Sequence, residues 1–278
     1  MSRPIVALIY DFDKTLCTKD MQEYGFIPSL DMTPREFWTE VNALTDREQM
    51  DNILAYMFLM VEKSREKKLK SSRDCFRRLG AGVEFFPGVT DWFERIDRFG
   101  QELGVRVEHY IVSSGIREII EGTEIADRFK RIYACEFMYG PDGIIQWPKC
   151  AINYTAKTQF LFRINKGVLD INTRSTDQLN RFTPENERRV PFRNMVYLGD
   201  GLTDVPCMKL VKSNGGQSIA VYDRDQGENV AQALINDNRV NFAVPADYRE
   251  GMEVEQTVQT IMRKITAVEQ LNRLDKRQ

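Results

Sequence analysis

The stretch that decides the fold is residues 4–15, Pro-Ile-Val-Ala-Leu-Ile-Tyr-Asp-Phe-Asp-Lys-Thr. Its near-continuous apolar run is rich in β-branched side chains, which is typical of a strand buried on both faces of a parallel sheet. Two carboxylates, Asp11 and Asp13, follow where that strand is predicted to end. Ligands of open α/β sheets bind at the carboxyl ends of the strands. The stretch therefore predicts a ligand site, with a plain polar turn held by Asp and Thr side chains as the alternative.

Composition places the chain among globular proteins, because 42% of its 278 residues are hydrophobic and 29% are charged. The length favours one large domain with an insertion, or two domains. A net charge of −2 gives no electrostatic reason to expect a nucleic-acid partner. No apolar run approaches the length of a membrane span, and the apolar N-terminal run is too brief for a signal peptide. We therefore expect a cytoplasmic protein without a membrane partner.

The cysteine and histidine counts narrow the possible chemistry. The five cysteines are odd in number and scattered, without a Cys-x-x-Cys pair, so we expect reduced thiols rather than a disulfide framework. His109 is the only histidine, which argues against histidine-based zinc sites and Ser-His-Asp or Cys-His catalysis. If the protein binds a metal, we therefore expect a hard ion with carboxylate ligands.

Residues 18–85 are predicted to form an all-helical insertion. Thr33 to Glu36 is a capping box with proline at the first helical position, and it predicts a helix through Leu44. The stretch Thr45-Asp46-Arg47-Glu48 repeats the pattern and predicts the start of a second helix. Ser71 to Asp74 predicts a third. An all-helical block of this length inside an α/β pattern predicts an inserted cap subdomain.

The rest of the chain, residues 1–17 and 86–278, is predicted to form one α/β core. Strands are expected at 107–112, 195–198, 219–221 and 241–244, with a strand and hairpin over 132–147. Helices are expected at 89–103, from 116, from 155, around 230–235 and at 251–274. The apolar stripe of the last helix is predicted to pack on the core, with a dimer contact as the alternative.

Further polar residues follow the later strands. Ser113 ends one strand, Asp200 and Asp204 follow another, and Lys157 lies near the start of a helix. Because the ends of parallel strands share one edge of a sheet, these side chains can meet Asp11 there. Several acids with one lysine and a serine, without histidine, suit a Mg²⁺ ion that keeps waters and a phosphate oxygen.

These motifs resemble those of the haloacid dehalogenase-like (HAD) hydrolase superfamily, in its phosphoserine-phosphatase-like branch. Asp11, Asp13 and Thr15 match the Asp-x-Asp-x-Thr motif, and Ser113 matches the Ser or Thr that ends a strand. Residues 199–204 match Gly-Asp-Gly-x-x-Asp in full. Lys157 is the best match for the lysine motif, with Lys149 and Lys166 as rivals. The resemblance spans roughly residues 5–222 and implies a Rossmann-like core with a helical cap.

The resemblance also implies roles. Asp11 is the nucleophile that forms an aspartyl-phosphate, Asp13 is the general acid and base, and Lys157 with Mg²⁺ cancels the repulsion between Asp11 and the anionic phosphate. The metal is held by Asp11, the backbone carbonyl of Asp13, and Asp200. Asp204 orients a metal-bound water or the lysine.

The same resemblance assigns the phosphate contacts. Ser113 and the amides after Asp11 would bind the phosphoryl oxygens, with Ser114 and Gly115 as weaker candidates, while Thr15 fixes the motif loop. Asp20 stands near the offset of the acid that binds the substrate amine in phosphoserine phosphatases, with Glu23 close by and a solvated turn acid as the alternative.

We expect a Mg²⁺-dependent phosphomonoesterase acting on a small phosphorylated metabolite, as a monomer or a homodimer. A phosphotransferase or phosphomutase would keep the same residues, and a non-catalytic phosphate-binding protein is the alternative from another class. The substrate itself is set by the cap, where the resemblance is weakest.

Overall fold

A computed structural model describes residues 3–275, and within them the chain forms a seven-stranded sheet flanked by helices. The sheet order is β4-β3-β2-β1-β5-β6-β7, and every neighbouring pair is parallel except the antiparallel β3–β4 hairpin. The strands are β1 Ile5–Tyr10, β2 Arg106–Ile116, β3 Arg131–Tyr139, β4 Ile145–Cys150, β5 Met195–Gly199, β6 Gln217–Tyr222 and β7 Phe242–Pro245. The predicted α/β Rossmann-like core is confirmed.

Helices cover the sheet and form the insertion between β1 and β2. They are α1 Phe26–Ser29, α2 Pro34–Glu48, α3 Asn52–Glu66, α4 Arg73–Gly80, α5 Val89–Glu102, α6 Arg117–Glu121, α7 Ala156–Lys166, α8 Thr173–Asn180, α9 Val205–Ser213, α10 Glu228–Asn236 and α11 Glu253–Asp275. The predicted helices and strands of the core are present with shifted ends. Residues 1–2 and 276–278 of the predicted core lie outside the described residues.

The central strand is buried because its neighbours cover both edges and helices cover both faces. All six residues of β1 are buried, as the continuous apolar run requires. On the apolar face of α11, Val254, Val258 and Ile265 are also buried, so the predicted packing role of this helix is confirmed. His109 lies in β2 between Tyr10, at 2.9 Å from its Nδ1, and Asp97, at 3.2 Å from its Nε2. Its contacts are those of a structural residue.

The insertion is helical as predicted, but one helix boundary is wrong. The Thr33 capping box is present, with Glu36 accepting from the Thr33 N–H. Thr45 does not start a helix, because α2 continues through it to Glu48. Instead Asp51 caps α3 by accepting the Leu54 N–H at 3.0 Å. A capping pattern inside a continuing helix has no free amide to satisfy, so the tertiary context decides which residue acts as the cap.

Helix α4 is held on the core by two glycines. A Cβ on Gly122 would lie 1.8 Å from the Arg77 carbonyl oxygen, and a Cβ on Gly80 would lie 2.3 Å from the Ile119 carbonyl oxygen. These distances are far below van der Waals contact, so the backbones of α4 and α6 approach as closely as only glycine permits. The end of the insertion is thus packed directly on the helix that follows β2.

Two further findings bear on the composition. No helix within residues 3–275 is long and apolar enough to cross a membrane. The five cysteines all lie in the described part of the chain, and all are free.

Candidate active site

The predicted site residues Asp11, Lys157, Asp200 and Asp204 meet at the carboxyl edge of the sheet. The Asp11 N–H donates to the Leu198 carbonyl at 2.9 Å, which joins the end of β1 to the end of β5. Asp200 and Asp204 follow β5, so the parallel pairing of these two strands brings their loops together. Asp11 and Asp204 are buried, and Asp200 is half-buried.

Lys157 is the cation of this cluster. It lies in the first turn of α7, is completely buried, and its Nζ is 3.1 Å from Asp11 Oδ1 and 2.7 Å from Asp204 Oδ1. Burial alone would lower the pKa of the ammonium, but the two carboxylates raise that pKa above its ordinary value. Lys157 is therefore charged, and it bridges two of the predicted motifs.

The rival lysines lie elsewhere and have other partners. Lys149 Nζ pairs with Glu136 at 2.6 Å, and Lys166 Nζ donates to the carbonyls of Leu179 and Arg181. Of the three candidates, Lys157 alone contacts Asp11. The motif predicts that Lys157 lies at the acids. It does not indicate a second partner of Asp204: Tyr197 OH also donates to Asp204 Oδ1, at 2.7 Å. Tyr197 points inward from β5, and only the strand register could have indicated that contact.

The carboxylates of the cluster lie close together and repel one another, and a single lysine does not cancel this repulsion. Asp11, Asp200 and Asp204 each offer an oxygen within 4.8 Å of the other two. Burial and the nearby Asp204 raise the pKa of Asp11 to about 6, although Lys157 lowers it. Burial, Asp204 and Asp11 likewise raise the pKa of Asp200 well above its usual range. Asp204 Oδ2 is buried without a hydrogen-bond partner.

This arrangement fits a hard divalent cation. Clustered carboxylate oxygens with one unpartnered buried oxygen are the ligands that Mg²⁺ prefers, and a cation would relieve the repulsion that raises the pKa of Asp11 and Asp200. The Asp13 carboxylate is outside this cluster, and the ligand role of its backbone carbonyl stays a prediction.

Asp13 is held beside the cluster by the insertion. Its Oδ1 accepts the Met21 N–H at 2.9 Å, and burial, then Asp20 and Asp11, raise the pKa of its carboxyl well above the ordinary value. A carboxyl group whose pKa is raised can hold a proton near neutral pH and donate it. Asp20 pairs with Lys14 at 2.6 Å, and both residues line the cavity next to Asp13.

The two serines predicted to bind phosphate, Ser113 and Ser114, have different surroundings. Ser113 is completely buried, and its Oγ accepts the Gly115 N–H at 2.9 Å. Ser114 lines the cavity instead, and its buried Oγ has no hydrogen-bond partner. A Cβ on Gly115 would lie 2.1 Å from Met21 Cε and 2.9 Å from Asp13 Oδ2, so glycine lets the end of β2 approach both residues. Their phosphate-binding roles stay predictions.

Thr15 lies outside the cavity wall. Its side chain is completely buried, and its carbonyl accepts from Tyr248 OH at 2.7 Å. The predicted role of Thr15 in fixing the motif loop stays a prediction.

A cavity of ≈ 660 Å³ opens from the acids toward the helical insertion. The insertion contributes Gln22, Trp38 and Tyr56 to its wall, and Tyr56 OH donates to the Ser114 carbonyl at 2.6 Å. Phe37 and Phe86 are buried and Phe85 is half-buried against the core, and Trp38 and Phe86 also lie in the cavity wall. Nothing in the sequence around Trp38 indicates that a cavity borders it.

A match to a protein-family sequence model identifies the family of this chain. The sequence model described as haloacid dehalogenase-like hydrolase matches residues 8–209, which include every motif of the site. The chain belongs to this HAD hydrolase family. An uncharacterized protein of Borreliella burgdorferi is 29% identical to it over 278 residues, covering 90% of this chain and 94% of that protein.

Solved structures similar to this HAD hydrolase include phosphoserine phosphatases, as the resemblance predicted. A substrate-bound phosphoserine phosphatase has a TM-score of 0.56 at 12% identity, covering 93% of this chain and 99% of that one. A probable phosphoserine phosphatase from Vibrio cholerae has a TM-score of 0.53 at 13% identity, covering 97% and 67%. A HAD family hydrolase from Salmonella enterica subsp. enterica serovar Typhi has a TM-score of 0.53 at 15% identity, covering 82% and 67%. At these identities the similarity establishes the fold.

Proposed function

We propose that this HAD hydrolase is a Mg²⁺-dependent phosphomonoesterase that works through an aspartyl-phosphate on Asp11. The observation that carries the proposal is the contact of buried Lys157 with both Asp11 and Asp204, at 3.1 and 2.7 Å. A buried ion pair of this kind contributes little to stability by itself, since removing the charges from water is costly. A site that must hold an anionic phosphoryl group against a carboxylate needs such a cation.

The first half of the reaction is a displacement at phosphorus. An Asp11 carboxylate oxygen forms a bond to phosphorus while the bond from phosphorus to the leaving oxygen breaks, and its electron pair stays on that oxygen. Protonated Asp13 gives its proton to the leaving oxygen, so that a neutral alcohol departs. The raised pKa of Asp13 supports its presence as the acid.

The second half returns the enzyme to its starting state. Asp13, now a carboxylate, takes a proton from a water molecule as the water oxygen attacks phosphorus. The bond from phosphorus to Asp11 then breaks, which releases phosphate and regenerates the Asp11 carboxylate. Microscopic reversibility favours one residue for both proton transfers, because the attacking water occupies the place that the alcohol has left.

Mg²⁺, held by Asp11, Asp200 and the Asp13 carbonyl, would supply positive charge to the phosphoryl oxygens. Lys157 contributes positive charge at the Asp11 carboxylate, and Asp204 with Tyr197 fixes the lysine. Ser114 Oγ, which is buried, unpartnered and in the cavity wall, is a candidate donor to a phosphoryl oxygen.

The helical insertion, residues 18–85, would act as a cap that excludes bulk water from the intermediate. Support comes from three cap contacts with the core: Tyr56 OH to the Ser114 carbonyl, the Met21 N–H to Asp13, and Asn153 Nδ2 to Asp51 Oδ2 at 2.5 Å. Each contact joins the insertion to a strand end or a loop next to the cluster.

A panel of phosphomonoesters, assayed with purified full-length protein and Mg²⁺, tests the proposal. We expect hydrolysis of at least one alkyl ester and of p-nitrophenyl phosphate, and a loss of at least about 10⁴-fold in kcat for Asp11→Asn. Acceptor alcohols added in parallel separate hydrolysis from phosphotransfer. A panel without any turnover, or an Asp11→Asn variant with full activity, contradicts the proposal.

A further inference from the structure

The cavity is larger than a phosphoryl group requires. Its volume of ≈ 660 Å³ lies within the range of small-molecule sites, which run from about 300 to 1,000 Å³. The acids occupy one end of it. The remaining wall is contributed by α2, α3, the loop before α7 and the segment after β6. This part of the cavity faces the leaving group, so its chemistry indicates which alcohol the enzyme releases.

The charges of the wall disfavour an anionic leaving group. Five carboxylates line the cavity: Asp11, Asp13, Asp20, Asp200 and Asp223. Among the described residues of the wall, Lys14 is the one cationic side chain, and Asp20 already pairs with it at 2.6 Å. A carboxylate or a second phosphate on the leaving group would meet Asp223 without an unpaired cation to receive it.

Aromatic and apolar side chains form much of the same wall. Trp38, Tyr154 and Tyr222 reach it from three separate segments of the chain. Tyr154 is 43% exposed and Leu202 is 70% exposed, although both are large apolar groups beside a cavity. Rings that border a cavity and stay partly open to solvent provide surfaces on which a planar group can stack.

Gln22 adds a directional polar group. Its side chain is only 2% exposed, lines the cavity, and carries an Oε1 without a hydrogen-bond partner. The preceding residue, Met21, donates its N–H to Asp13, so Gln22 lies next to the acid that protonates the leaving oxygen. An unpaired buried acceptor is costly, and an N–H or O–H donor on the leaving group would satisfy it.

We propose that the leaving group is an uncharged alcohol with a planar ring and N–H or O–H donors, which is the chemistry of a nucleoside in a nucleoside 5′-monophosphate. The inference rests on the proposed phosphomonoesterase activity and deepens it. The ring stacks on the aromatic wall, the donors reach Gln22, and the absence of negative charge on the leaving group suits Asp223.

Three alkyl esters test the inference: adenosine 5′-monophosphate, ribose 5-phosphate and O-phosphoserine. The first two share the reacting ester and differ by the base, while the third carries a carboxylate. Alkyl esters are compared with one another because an aryl alcohol departs more easily than an alkyl alcohol. We expect kcat/KM for the nucleotide to exceed that for ribose 5-phosphate and for O-phosphoserine by at least about tenfold, which is the value of one stacked base.

Two variants test whether the rings of the cavity wall cause the preference for the nucleotide. Tyr154→Ala, at a partly exposed position, lowers the ratio of nucleotide to ribose 5-phosphate kcat/KM by about fivefold or more. Phe182→Ala removes a ring that is 84% exposed and outside the cavity wall, and it leaves that ratio as in the wild type. Equal loss of the ratio in both variants overturns the assignment of the ring surface.

The two levels of the proposal fail in different ways. If ribose 5-phosphate or O-phosphoserine is hydrolysed as fast as the nucleotide or faster, the leaving-group inference is wrong while the phosphomonoesterase proposal stands. If no ester is hydrolysed, p-nitrophenyl phosphate included, the proposed function fails and the inference falls with it.

Discussion

The two ends of the cavity differ in the burial of their side chains and in the chain segments that supply them. At the phosphoryl end, Asp11, Lys157 and Asp204 are buried, joined by contacts of 2.7–3.1 Å, and supplied by loops that follow adjacent strands or start a helix. At the leaving-group end, Trp38 and Tyr154 are partly exposed and come from unrelated segments. The first end can be recognised from short motifs, whereas the second is formed by side chains from the helical insertion and the core that come together only in the folded chain. Changes at the first end should therefore remove activity, and changes at the second should alter preference.

The largest expected effect on stability comes from removing the buried cation. Lys157→Met leaves Asp11 and Asp204 facing each other without a positive charge, and we expect the free energy of unfolding to fall by about 3 kcal/mol or more, together with loss of activity. Urea denaturation measures the change.

Lys149→Met is the matched control. Lys149 also pairs with a glutamate, at 2.6 Å, but its side chain is 55% exposed. Its removal should cost less than about 1 kcal/mol. Equal costs for the two variants would show that Lys157 is not the buried partner of the acids.

Metal binding should give a smaller but specific stabilisation. Mg²⁺ at about a hundred times its dissociation constant should raise the free energy of unfolding by about 2.7 kcal/mol, because it binds only the folded acid cluster. EDTA should abolish hydrolysis and reverse this gain.

The Asp200→Asn variant should lose most of the gain from Mg²⁺, whereas Asp223→Asn, at a cavity position outside the acid cluster, should keep it. Thermal unfolding with and without Mg²⁺ provides the comparison. A gain retained in full by Asp200→Asn would place the metal elsewhere.

The smallest of these effects tests how the cap is attached. Gly122→Ala places a methyl group 1.8 Å from the Arg77 carbonyl oxygen, so α4 must move away from α6, and we expect the free energy of unfolding to fall by about 1–2 kcal/mol.

Gly82→Ala serves as the control, because its Cβ would meet nothing closer than the Leu79 carbonyl oxygen at 3.6 Å. If both variants unfold at the same urea concentration, the close backbone contact does not hold the cap.

Most residues of the phosphoryl end could be predicted from the sequence, for a physical reason. Asp11, Asp13 and Asp200 lie directly after strands, so strand order alone brings them together, and Lys157 lies where a helix begins beside them. Tyr197 was missed because its contact with Asp204 depends on which face of β5 points inward. Ser113 and Ser114 are consecutive residues of β2, so their side chains point to opposite faces of the strand and only Ser114 lines the cavity.

The leaving-group end could not be predicted in the same way. Gln22, Trp38 and Tyr222 are far apart in sequence, and nothing local distinguishes them from core or surface residues. The wrong boundary at Thr45 has a related cause. Both Thr45 and Asp51 start capping patterns, but α2 continues through Thr45 and Asp51 caps α3.

The central claim is that Asp11 carries the phosphoryl group during turnover, and covalent trapping tests it most directly. Protein turning over a hydrolysable ester with Mg²⁺ is quenched in acid and reduced with borohydride, which converts an aspartyl-phosphate into homoserine. Peptide mass spectrometry should find homoserine at position 11 in the wild type, and at no position in Asp11→Asn or without substrate. Hydrolysis that proceeds without homoserine at position 11, or with the label on another residue, would contradict the account.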